Sequence, residues 1–366
     1  MDLFEQKIAE YTGAGFAVAC VNGTSALHIA LILAGVRQGD EVIVPTITFI
    51  APVNAVKYCG AFPVFMDSDD YYNIDSAAVI DFLVNETEMK ENDAGESAVG
   101  ERPRKPVCFN RKTGRRISAL IPVHVFGNAA RLDEIKAVCR ERNIRIVEDA
   151  TESLGTRYRK GPFAGKQAGT IGDLGCLSFN GNKIITTGGG GMVLTDDEQL
   201  AKRARYLTTQ AKDDEIRYVH GEVGYNYRLT NIQAAVGVAQ MESLPEFLEA
   251  KKRNYSYYKS RINEIAGLSL SPVPDYADNN HWMYTLRIDP EEYGRTREEL
   301  MSDLAARGIQ SRPVWQLNHL QTPYGDSQSH KIERAVRLHS ITLNIPCSVN
   351  LRPEDMDDVV TVLSHG

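Results

Sequence analysis

The sequence predicts an α/β fold, with a large domain whose mainly parallel sheet is covered by helices and a smaller C-terminal α+β domain. In the first half of the chain, short apolar runs alternate with helical patterns. These runs are apolar throughout, as in parallel strands buried on both faces. From Thr230 onward, long helical patterns replace the alternation. Because 366 residues exceed one small core, we expect the large domain at residues 1–229 and the smaller one at residues 230–366.

The elements of the first half follow one another in a regular order. An amphipathic helix, MDLFEQKIAEYTG, precedes the strand GFAVACV and the helix TSALHIALILAGV. The strand DEVIVPT, the helix APVNAVKYCG and the strand FPVFMD come next. After an interruption, the strand ALIPVH, the helix RLDEIKAVCRERN and the strand IRIVED continue the order, and the strands GCLSFN and GMVLTD flank a glycine-rich segment. Strands connected by helices in this way pair in parallel.

Residues 86–118 interrupt this order. They are first acidic (NETEMKENDAGE), then basic (RPRK, NRKTGRR), and poor in apolar residues. We expect a solvated surface excursion with a short hairpin around NRKTGRR, and we favour a tolerated insertion over a gate for substrate.

The second half begins with the segments TNIQAAVGVAQMESL and PEFLEAKKRNYSYYKSRINEI, which predict long helices broken near Pro245. The strand HWMYTLRI and the helix TREELMSDLAARG, which ends in glycine, follow. The chain closes with the helix RPEDMDDVVTVLSH, whose first turn is acidic. We expect a small α+β domain attached through the long helix.

Charge and cysteine usage exclude several classes of protein. The net charge of −7 argues against a general nucleic-acid binder, although a locally basic pocket for a phosphorylated ligand is compatible with it. The six cysteines are scattered without a CxxC pair, which is typical of reduced thiols and predicts no disulfide framework and no metal site. No stretch approaches the roughly 18 apolar residues of a membrane span, and the start has no signal-peptide pattern. We expect a cytoplasmic protein without a membrane partner.

Three segments place chemistry beyond the carboxyl ends of strands, where α/β sheets bind ligands. The first is VNGTSALHIAL, in which a helix begins near Thr24 and Ser25. The unpaired N–H groups of a first helical turn can hold a phosphate, but an ordinary N-cap by Thr or Ser is the simpler interpretation. The sequence has neither GxGxxG nor GxxxxGK[ST], which argues against a Rossmann dinucleotide site and a P-loop.

The second segment is IRIVEDATESLG, where an apolar strand ends in Glu148 and Asp149. A carboxylate at the end of a buried strand costs free energy unless a cation or a hydrogen-bond donor pairs with it. A protonated pyridine nitrogen would be such a partner. Capping of the next turn by Asp149 is an equally good interpretation of this residue alone.

The third segment is SFNGNKIITTGGGGMV, which contains Lys183. A lysine becomes a nucleophile only after losing its proton, and partial desolvation beside other cations promotes that loss. The glycines at residues 188–191 would let the backbone pass close to a flat ligand, and Ser178 could add a hydroxyl to a phosphate site. A solubilising lysine in a flexible loop is the alternative.

Taken together, the three segments indicate a site for pyridoxal phosphate. They supply an amine for covalent attachment, an acid for a ring nitrogen, and a helix start with hydroxyls for a phosphate. In such enzymes the cofactor is the electron sink, while the protein provides orientation and electrostatics.

Six stretches, in this order, carry a family resemblance: NGTSALHIAL, DEVIVPTITFIAPVNAV, IPVHVFGN, VEDATESLGT, GDLGCLSFNGNKIITTGGGGMV and GYNYRLTNIQAAVG. With them the chain resembles the DegT/StrS-type sugar-nucleotide aminotransferases, from about Phe4 to the C-terminus. The resemblance implies the fold-type I architecture of pyridoxal-phosphate-dependent transferases. It also implies a homodimer with shared active sites.

The resemblance implies a role for each matched residue at the cofactor ring. Lys183 would carry pyridoxal 5'-phosphate covalently and move a proton between the cofactor and the sugar carbon. Asp149 would pair with the pyridine nitrogen. Phe49, in TITFIAP, would stack on the ring, and Glu152, at a position that is often Gln in the family, would lie near the ring 3-hydroxyl.

Further residues are matched at the phosphate and the substrate. Thr24, Ser25 and Ser178 would bind the phosphate, and Asn226 in GYNYR would reach it from the neighbouring subunit. His319, in PVWQLNHLQ, would contact the sugar or its diphosphate.

The form SFNGNK, the segment TTQAKDD and the excursion before IPVHVFGN resemble the subgroup that makes legionaminic acid and bacillosamine-type precursors. The implied acceptor is a UDP-linked 4-keto-6-deoxy-N-acetylhexosamine, aminated at C4 for surface polysaccharide or nonulosonic acid synthesis. L-Glutamate would be the amino donor, and the cofactor would be pyridoxamine 5'-phosphate during turnover.

The chain departs from the family pattern in two places. Asn180 replaces the His of the common Ser-x-His-x-x-Lys motif, but the lysine is retained. The related sugar dehydratases have His in place of that lysine, so Lys183 favours amino transfer. Family members usually have further residues before the first helix, so we expect either a truncated or an unusual start, which affects substrate binding more than cofactor binding.

Two other hypotheses remain. The protein could bind the cofactor or a sugar nucleotide without turnover, as a regulator. It could also be a nicotinamide-dependent sugar-nucleotide oxidoreductase or epimerase, although the missing GxGxxG counts against this.

Overall fold

The computed structural model describes residues 1–91, 106–214 and 216–364. Every helical pattern predicted from the sequence forms a helix in this part of the chain. The helices are α1 Asp2–Thr12, α2 Gly23–Leu33, α3 Ala51–Tyr58, α4 Ser76–Asn85, α5 Asp133–Glu141, α6 Glu198–Thr208, α7 Asn231–Ile262, α8 Pro290–Tyr293, α9 Arg297–Ala306, α10 Arg334–Ile341 and α11 Pro353–Ser364.

The strands are short, as expected for a sheet enclosed by helices. They are β1 Phe16–Cys20, β2 Glu41–Pro45, β3 Phe62–Met66, β4 Thr87–Lys90, β5 Val107–Asn110, β6 Ile117–Leu120, β7 Arg145–Asp149, β8 Arg157–Tyr158, β9 Leu174–Ser178, β10 Gly191–Thr195, β11 Lys212–Asp214, β12 Val219–His220, β13 Leu268–Leu270, β14 Ala277–Asp278, β15 Tyr284–Ile288, β16 Arg312–Pro313, β17 Ser329–His330 and β18 Thr342–Ile345.

The large sheet has eight strands in the order β1-β10-β9-β7-β6-β2-β3-β17. Strand β10 is antiparallel to both of its neighbours, and all the other pairs are parallel. The predicted α/β class with a mainly parallel sheet is confirmed. As a consequence, the carboxyl ends of seven strands lie at one edge of this sheet.

Helices cover both faces of the large sheet. Along β2, Val42 and Val44 belong to one apolar core and Ile43 belongs to the other, as the two-residue period of a strand requires. The first core includes residues of α1, α2 and α6, and the second includes residues of α4 and α5. Strands that are buried on both faces explain why the predicted runs are apolar throughout.

A second sheet of four strands, in the order β13-β15-β18-β16, lies in the C-terminal half and is antiparallel throughout. Its core includes Tyr258 of α7, Leu300 of α9 and Val359 of α11. Two segments of this half pair with strands of the first half, β17 with β3 and β14 with β8. The division at residues 229 and 230 remains our proposal for the two domains.

The predicted break near Pro245 is wrong, because α7 continues through this residue. Proline removes one backbone N–H from the helix, but Leu244 beside it is completely buried and packs in the core. The helix start is fixed by a capping box between Thr230 and Gln233. Tertiary packing therefore outweighs the local preference of one proline.

The excursion predicted at residues 86–118 is partly ordered. Strands β4 and β5 pair in antiparallel register, and residues 92–105 between them lie outside the described residues. The hairpin expected around NRKTGRR is present, since Asn110 N–H donates to Arg115 O at 2.9 Å and Gly114 N–H donates to Asn110 O at 2.8 Å. Strand β6 is shorter than the predicted ALIPVH and ends before Pro122.

All six cysteines are unpaired, and Cys59 and Cys347 are only partly buried. Among the described helices, none combines the length and the apolar character that crossing a bilayer requires.

Candidate active site

The carboxyl edge of the large sheet brings together residues that are far apart in the sequence. Asp149 is the last residue of β7 and Ser178 is the last residue of β9, and these two strands are parallel neighbours. Gly191 opens β10 and pairs with Cys20 at the end of β1. Helix α2 begins at Gly23, shortly after β1. Open α/β sheets bind their ligands at this edge.

Asp149 is a buried carboxylate that is held rigidly by its backbone. Its N–H donates to Pro122 O at 2.9 Å, and its carbonyl accepts from His124 N–H at 3.0 Å. Its Oδ1 accepts the N–H of Thr151 at 3.0 Å, so the local turn that the sequence allowed is present. Burial raises the pKa of Asp149, while hydrogen bonds from Thr151 and the charge of Lys183 oppose this shift. A cationic partner would compensate for the burial of this carboxylate.

Glu148, the neighbour of Asp149, is fully satisfied inside the protein. It accepts a hydrogen bond from His124 Nε2 at 2.8 Å and three more from backbone N–H groups of residues 169–172. His124 Nδ1 accepts the N–H of Ala130, so Nε2 carries the proton. Burial raises the pKa of Glu148, but the bonds from His124 and the backbone outweigh burial and hold it below its ordinary value. The hydrogen-bonded pair of His124 and Glu148 therefore stabilises the end of β7, where Asp149 lies.

The first turn of α2 lies against the end of β9. Asn22 is the N-cap, and its Oδ1 accepts the N–H of Ser25 at 2.7 Å, so the interpretation of Thr24 or Ser25 as the cap is wrong. A Cβ on Gly23 would lie 2.9 Å from Ser178 Cβ and 3.2 Å from its Oγ. Only glycine therefore lets the helix start approach Ser178. The hydroxyl and the first-turn N–H groups lie side by side, which suits a phosphate.

Of the glycines at residues 188–191, Gly191 makes room for the protein's own backbone. A Cβ on Gly191 would lie 2.4 Å from Asn22 O and 2.7 Å from Gly23 N. Gly188 and Gly190 have positive φ angles of 77° and 142°, which favour glycine. The sequence suggests close passage along a flat ligand, whereas the structure shows close passage along the turn between β1 and α2.

Lys183 lies in the turn that follows β9, where its N–H donates to Asn180 O at 3.0 Å. Its side chain is only 14% exposed, and its Nζ lies 3.7 Å from Oε1 of Glu152. The same Nζ lies 4.3 Å from the ring centroid of Trp282. A lysine with these buried partners is no solubilising charge in a flexible loop, and that interpretation is wrong.

Glu152 is held at both its side chain and its backbone. Its Oε2 accepts the N–H of Phe126 at 2.8 Å, and its carbonyl accepts the side-chain amide of Asn280 at 2.8 Å. Burial raises the pKa of Glu152 to about 7, against the opposing effects of the Lys183 charge and the Phe126 N–H; the charge of Asp149 adds to the rise. A contact with the cofactor's ring hydroxyl remains a prediction.

Phe49, Trp315 and Phe126 form a row of ring contacts that reaches the site at Phe126, whose N–H donates to Glu152. The Phe49 ring is 53% exposed and lies edge-on to Trp315, with centroids 6.4 Å apart. Trp315 stacks on Phe126 at 5.0 Å. An exposed aromatic ring beside a polar pocket is suited to stacking on a flat ligand.

His319 is tied to the loop that carries Phe49. Thr46 Oγ1 and His319 Nδ1 are 2.7 Å apart, and the side-chain amide of Asn318 donates to Thr48 O at 2.7 Å. Burial lowers the pKa of His319. The structure thus brings His319 to the same edge as Phe49, and its contact with substrate remains a prediction.

Asn226 lies apart from these residues, on the segment that runs along the edge strand β1. Val21 N–H donates to Tyr227 O at 2.7 Å, and Asn226 pairs with Thr209. Its side chain is exposed and forms no hydrogen bond with the other predicted site residues in the described part of the chain. Within one subunit Asn226 therefore remains at the surface.

The sequence did not single out Trp282 or Trp315, although these are the two tryptophans of the chain. Trp282 is 4% exposed, and its indole Nε1 donates to Asn182 O at 2.7 Å, next to Lys183. The signal was their position: each lies at the start of, or outside, a predicted element, where a large aromatic side chain has no local packing role.

Two features of this edge fit pyridoxal phosphate. The Asp149 carboxylate is buried without a full cationic partner, which suits a protonated ring nitrogen. The cradle between Gly23 and Ser178 would be blocked by a single Cβ, which suits a phosphate held by backbone N–H groups. With a lysine amine between them, the fold and the site define a pyridoxal-phosphate-dependent enzyme of fold-type I.

Comparison with known proteins agrees with this class. Residues 1–364 match the DegT/DnrJ/EryC1/StrS aminotransferase family, to which the chain belongs. It is 38% identical over 364 residues to GDP-perosamine synthase of Caulobacter vibrioides, covering 99% of this chain and 88% of that protein. It is 35% identical over 355 residues to GDP-perosamine synthase of Escherichia coli O157:H7, covering 96% and 86%.

Solved structures give the same result. A DegT DnrJ EryC1 StrS aminotransferase from Brucella abortus superposes with a TM-score of 0.84 at 28% identity, over 99% of this chain and 88% of that one. The family resemblance, the fold-type I architecture and pyridoxal phosphate as cofactor are thereby confirmed.

Proposed function

We propose that this protein transfers the amino group of L-glutamate to C4 of a UDP-linked 4-keto-6-deoxy-N-acetylhexosamine. The observation that carries the proposal is the amine of Lys183, held between Glu152 and Trp282 at the sheet edge that also carries Asp149. This arrangement supports a lysine that handles protons next to a ring-binding carboxylate. The amino sugar would serve surface polysaccharide synthesis in the cytoplasm.

Pyridoxal phosphate, when bound, supplies the electron sink on which amino transfer depends. Asp149 would hold its ring nitrogen protonated, because the buried carboxylate favours a cationic partner. The first turn of α2, with Thr24, Ser25 and Ser178, would hold its phosphate. Phe49 would cover the ring face and exclude water.

Lys183 would attach the cofactor and, once released, carry the proton between the donor or acceptor carbon and the cofactor. Nζ of Lys183 can attach the cofactor or accept a proton only as a free amine. The groups that accept the proton from Nζ therefore control this chemistry. Its fixed backbone turn and its contact with Trp282 orient Nζ towards one small region.

We also propose a homodimer in which Asn226 completes the partner's phosphate site. Support comes from the surface around Asn226: the four most exposed large apolar side chains of the described residues are Ile216, Val223, Ile232 and Tyr218, at 88%, 81%, 81% and 71% exposure. Such exposed apolar residues, close to Asn226 in the sequence, are typical of protein–protein interfaces and support the proposal.

A second candidate acceptor is a GDP-linked keto sugar. It is favoured by two relatives that carry the name GDP-perosamine synthase. The two candidates differ in the nucleotide and in the sugar, while the donor and the roles of Lys183 and Asp149 are the same.

The test uses the purified full chain with pyridoxal phosphate, ¹⁵N-labelled glutamate and a panel of UDP-linked and GDP-linked 4-keto sugars. Mass spectrometry should show transfer of ¹⁵N to one acceptor and release of 2-oxoglutarate. A protein that gains no visible absorption band with pyridoxal phosphate, and that aminates no acceptor, would overturn the proposal. Transfer to the GDP-linked sugars alone would replace the first acceptor by the second.

A further inference from the structure

Glu152 is the carboxylate that lies within ion-pair distance of Lys183 in the described structure. Its Oε1 lies 3.7 Å from Nζ, and the two side chains are 4% and 14% exposed. At this separation a small rotation of the long lysine side chain closes a hydrogen bond. Both side chains are mostly buried, and Oε1 is the carboxylate oxygen within ion-pair distance of Nζ in the described structure.

The two oxygens of Glu152 have different surroundings. Oε2 is occupied by the Phe126 N–H at 2.8 Å, and Phe126 is held in a left-handed conformation with φ of 56°. Oε1 faces Lys183. A carboxyl group with one fixed acceptor oxygen and one oxygen towards an amine can take up a proton without moving its anchor.

The charged groups around Glu152 are few. Lys183 faces it from the loop after β9, and Asp149 acts on it from the end of β7. The His124 and Glu148 pair lies behind Asp149 on the other side of the strand end. The C-terminal half contributes Asn280 and Trp282, and the side chains of both residues are uncharged.

We propose that Glu152 is the proton partner of Lys183, so that the two groups share one proton between Nζ and Oε1. The ammonium of Lys183 transfers H⁺ to the carboxylate of Glu152, giving a free amine and a carboxylic acid, and the reverse transfer restores the ion pair. No charge or proton leaves the pair. This inference rests on the proposed function, in which Lys183 acts as a free amine.

The raised pKa of Glu152, about 7, agrees with a carboxyl group that takes a proton easily near neutral pH. Sharing would give Lys183 a way to become nucleophilic without releasing its proton to bulk water. It would also return that proton when Lys183 is displaced from the cofactor.

The test is competitive acetylation of the cofactor-free full chain with a trace of acetic anhydride between pH 6 and 9, with the Lys183 peptide measured by mass spectrometry. Between the two macroscopic pKa values of a pair that shares one proton, the fraction of free amine does not change with pH. The rate at Lys183 should therefore be flat over part of this range. An exposed amine gains reactivity about tenfold per pH unit below the pKa of a free lysine. Lys202, which is 64% exposed, serves as the internal control.

Glu152→Gln keeps the shape of the side chain and its bond to the Phe126 N–H but removes the titrating group. In this variant Lys183 should lose the flat region and rise about tenfold per pH unit, like Lys202. A tenfold rise in the wild type would overturn the inference, and so would a flat region that persists in Glu152→Gln. The wild-type arm alone decides the matter if the variant does not fold.

Failure of this inference is separable from failure of the proposed function. Acetylation needs neither cofactor nor substrate, so a flat region without amino transfer leaves the proton sharing standing and overturns the function. Amino transfer without a flat region leaves the proposed function standing and overturns the proton sharing.

Discussion

The indole ring of Trp282 lies 4.3 Å from Nζ of Lys183, and its N–H donates to the carbonyl of Asn182, which precedes that lysine. The backbone of Trp282 is held in turn by the buried Lys251 of α7, whose Nζ donates to the Trp282 carbonyl at 2.7 Å. The C-terminal half of the chain thus positions the lysine of the N-terminal half. An ammonium over an indole face is stabilised by about 0.5 to 2 kcal/mol.

Trp282→Leu should lower kcat on the order of tenfold, because Nζ loses the side chain that orients it and a misplaced catalytic group reacts more slowly. Trp282→Phe keeps an aromatic face, loses only the bond to Asn182, and should lie between the wild type and Leu. The checks are kcat and KM for glutamate, together with tryptophan fluorescence between pH 6 and 10. In Trp315→Phe, Trp282 is the only remaining tryptophan, and the intensity of its emission should change with pH. This change should disappear in Trp315→Phe/Lys183→Met. An unchanged kcat in Trp282→Leu would contradict the positioning role.

Lys183→Ala should abolish covalent attachment of the cofactor and reduce turnover by at least about a thousandfold. After borohydride reduction of the wild type, peptide mapping should place the cofactor on residue 183. Lys251 is the matched comparison, because it is the other buried lysine close to Trp282. An adduct on Lys251, or a covalent adduct in Lys183→Ala, would refute the assignment.

Asp149→Asn should lower kcat on the order of 10² to 10³-fold, because the neutral amide no longer stabilises a protonated ring nitrogen. The amide retains a group that can accept the Thr151 N–H, so the turn should remain folded. Kinetics with glutamate measure the loss of catalysis, and the melting temperature of the cofactor-free protein measures any loss of stability. A loss of kcat that is accompanied by a clear fall in melting temperature would instead indicate a structural role for Asp149.

Asp149 and Ser178 end apolar strands and Lys183 follows the second of these strands, so the sequence predicted that the three residues lie at one edge. Parallel pairing fixes the edge at which strand ends meet, so the pattern along the chain already determines their neighbourhood. Glu152 and Phe49 followed from the resemblance, and the structure places both at the same edge.

Trp282 and Asn22 were missed for different physical reasons. The position of Trp282 depends on how a loop of the C-terminal half is anchored, here by the Asn280 amide on the Glu152 carbonyl, and no local pattern encodes such an anchor. At the start of α2 three polar residues, Asn22, Thr24 and Ser25, compete to be the cap, and backbone geometry selects Asn22. The uninterrupted α7 shows the same limit, because packing outweighs Pro245.

Glu152 should make stability depend on pH in the cofactor-free protein. Its pKa is about 7 in the folded protein and 4.5 as the ordinary value, so the folded state binds more protons between these two pH values. The free energy of unfolding should therefore fall as pH rises through this window, relative to Glu152→Gln, by on the order of 3 kcal/mol. Urea titrations at pH 4.5, 5.5, 6.5 and 7.5 measure the difference. The surface variant Glu198→Gln should show no such trend, and a pH-independent difference for Glu152→Gln would contradict the raised pKa.

Mixing of inactive subunits tests whether Asn226 acts across the dimer. The Asn226 side chain is exposed and forms no hydrogen bond with the other candidate site residues among those the structure describes, so we expect it to serve the partner's phosphate site. Lys183→Ala and Asn226→Ala homodimers should both be impaired. After equal, random mixing, half of the dimers contain one of each chain and one intact site, so activity should recover to about a quarter of the wild-type value.

The matched control mixes wild type with the Lys183→Ala/Asn226→Ala double variant. If Asn226 acts across the interface, each mixed dimer has one site without the lysine and one without the amide, so mixing should add no active site beyond those in the wild-type homodimers. If Asn226 acts within its own subunit, the two results exchange: the single variants fail to complement, and the mixed dimers of the control keep one intact site. Different affinity tags on the two chains, with mixed dimers isolated by passage over both affinity columns, confirm that subunits have exchanged. The two arms together then assign the residue to one subunit or the other.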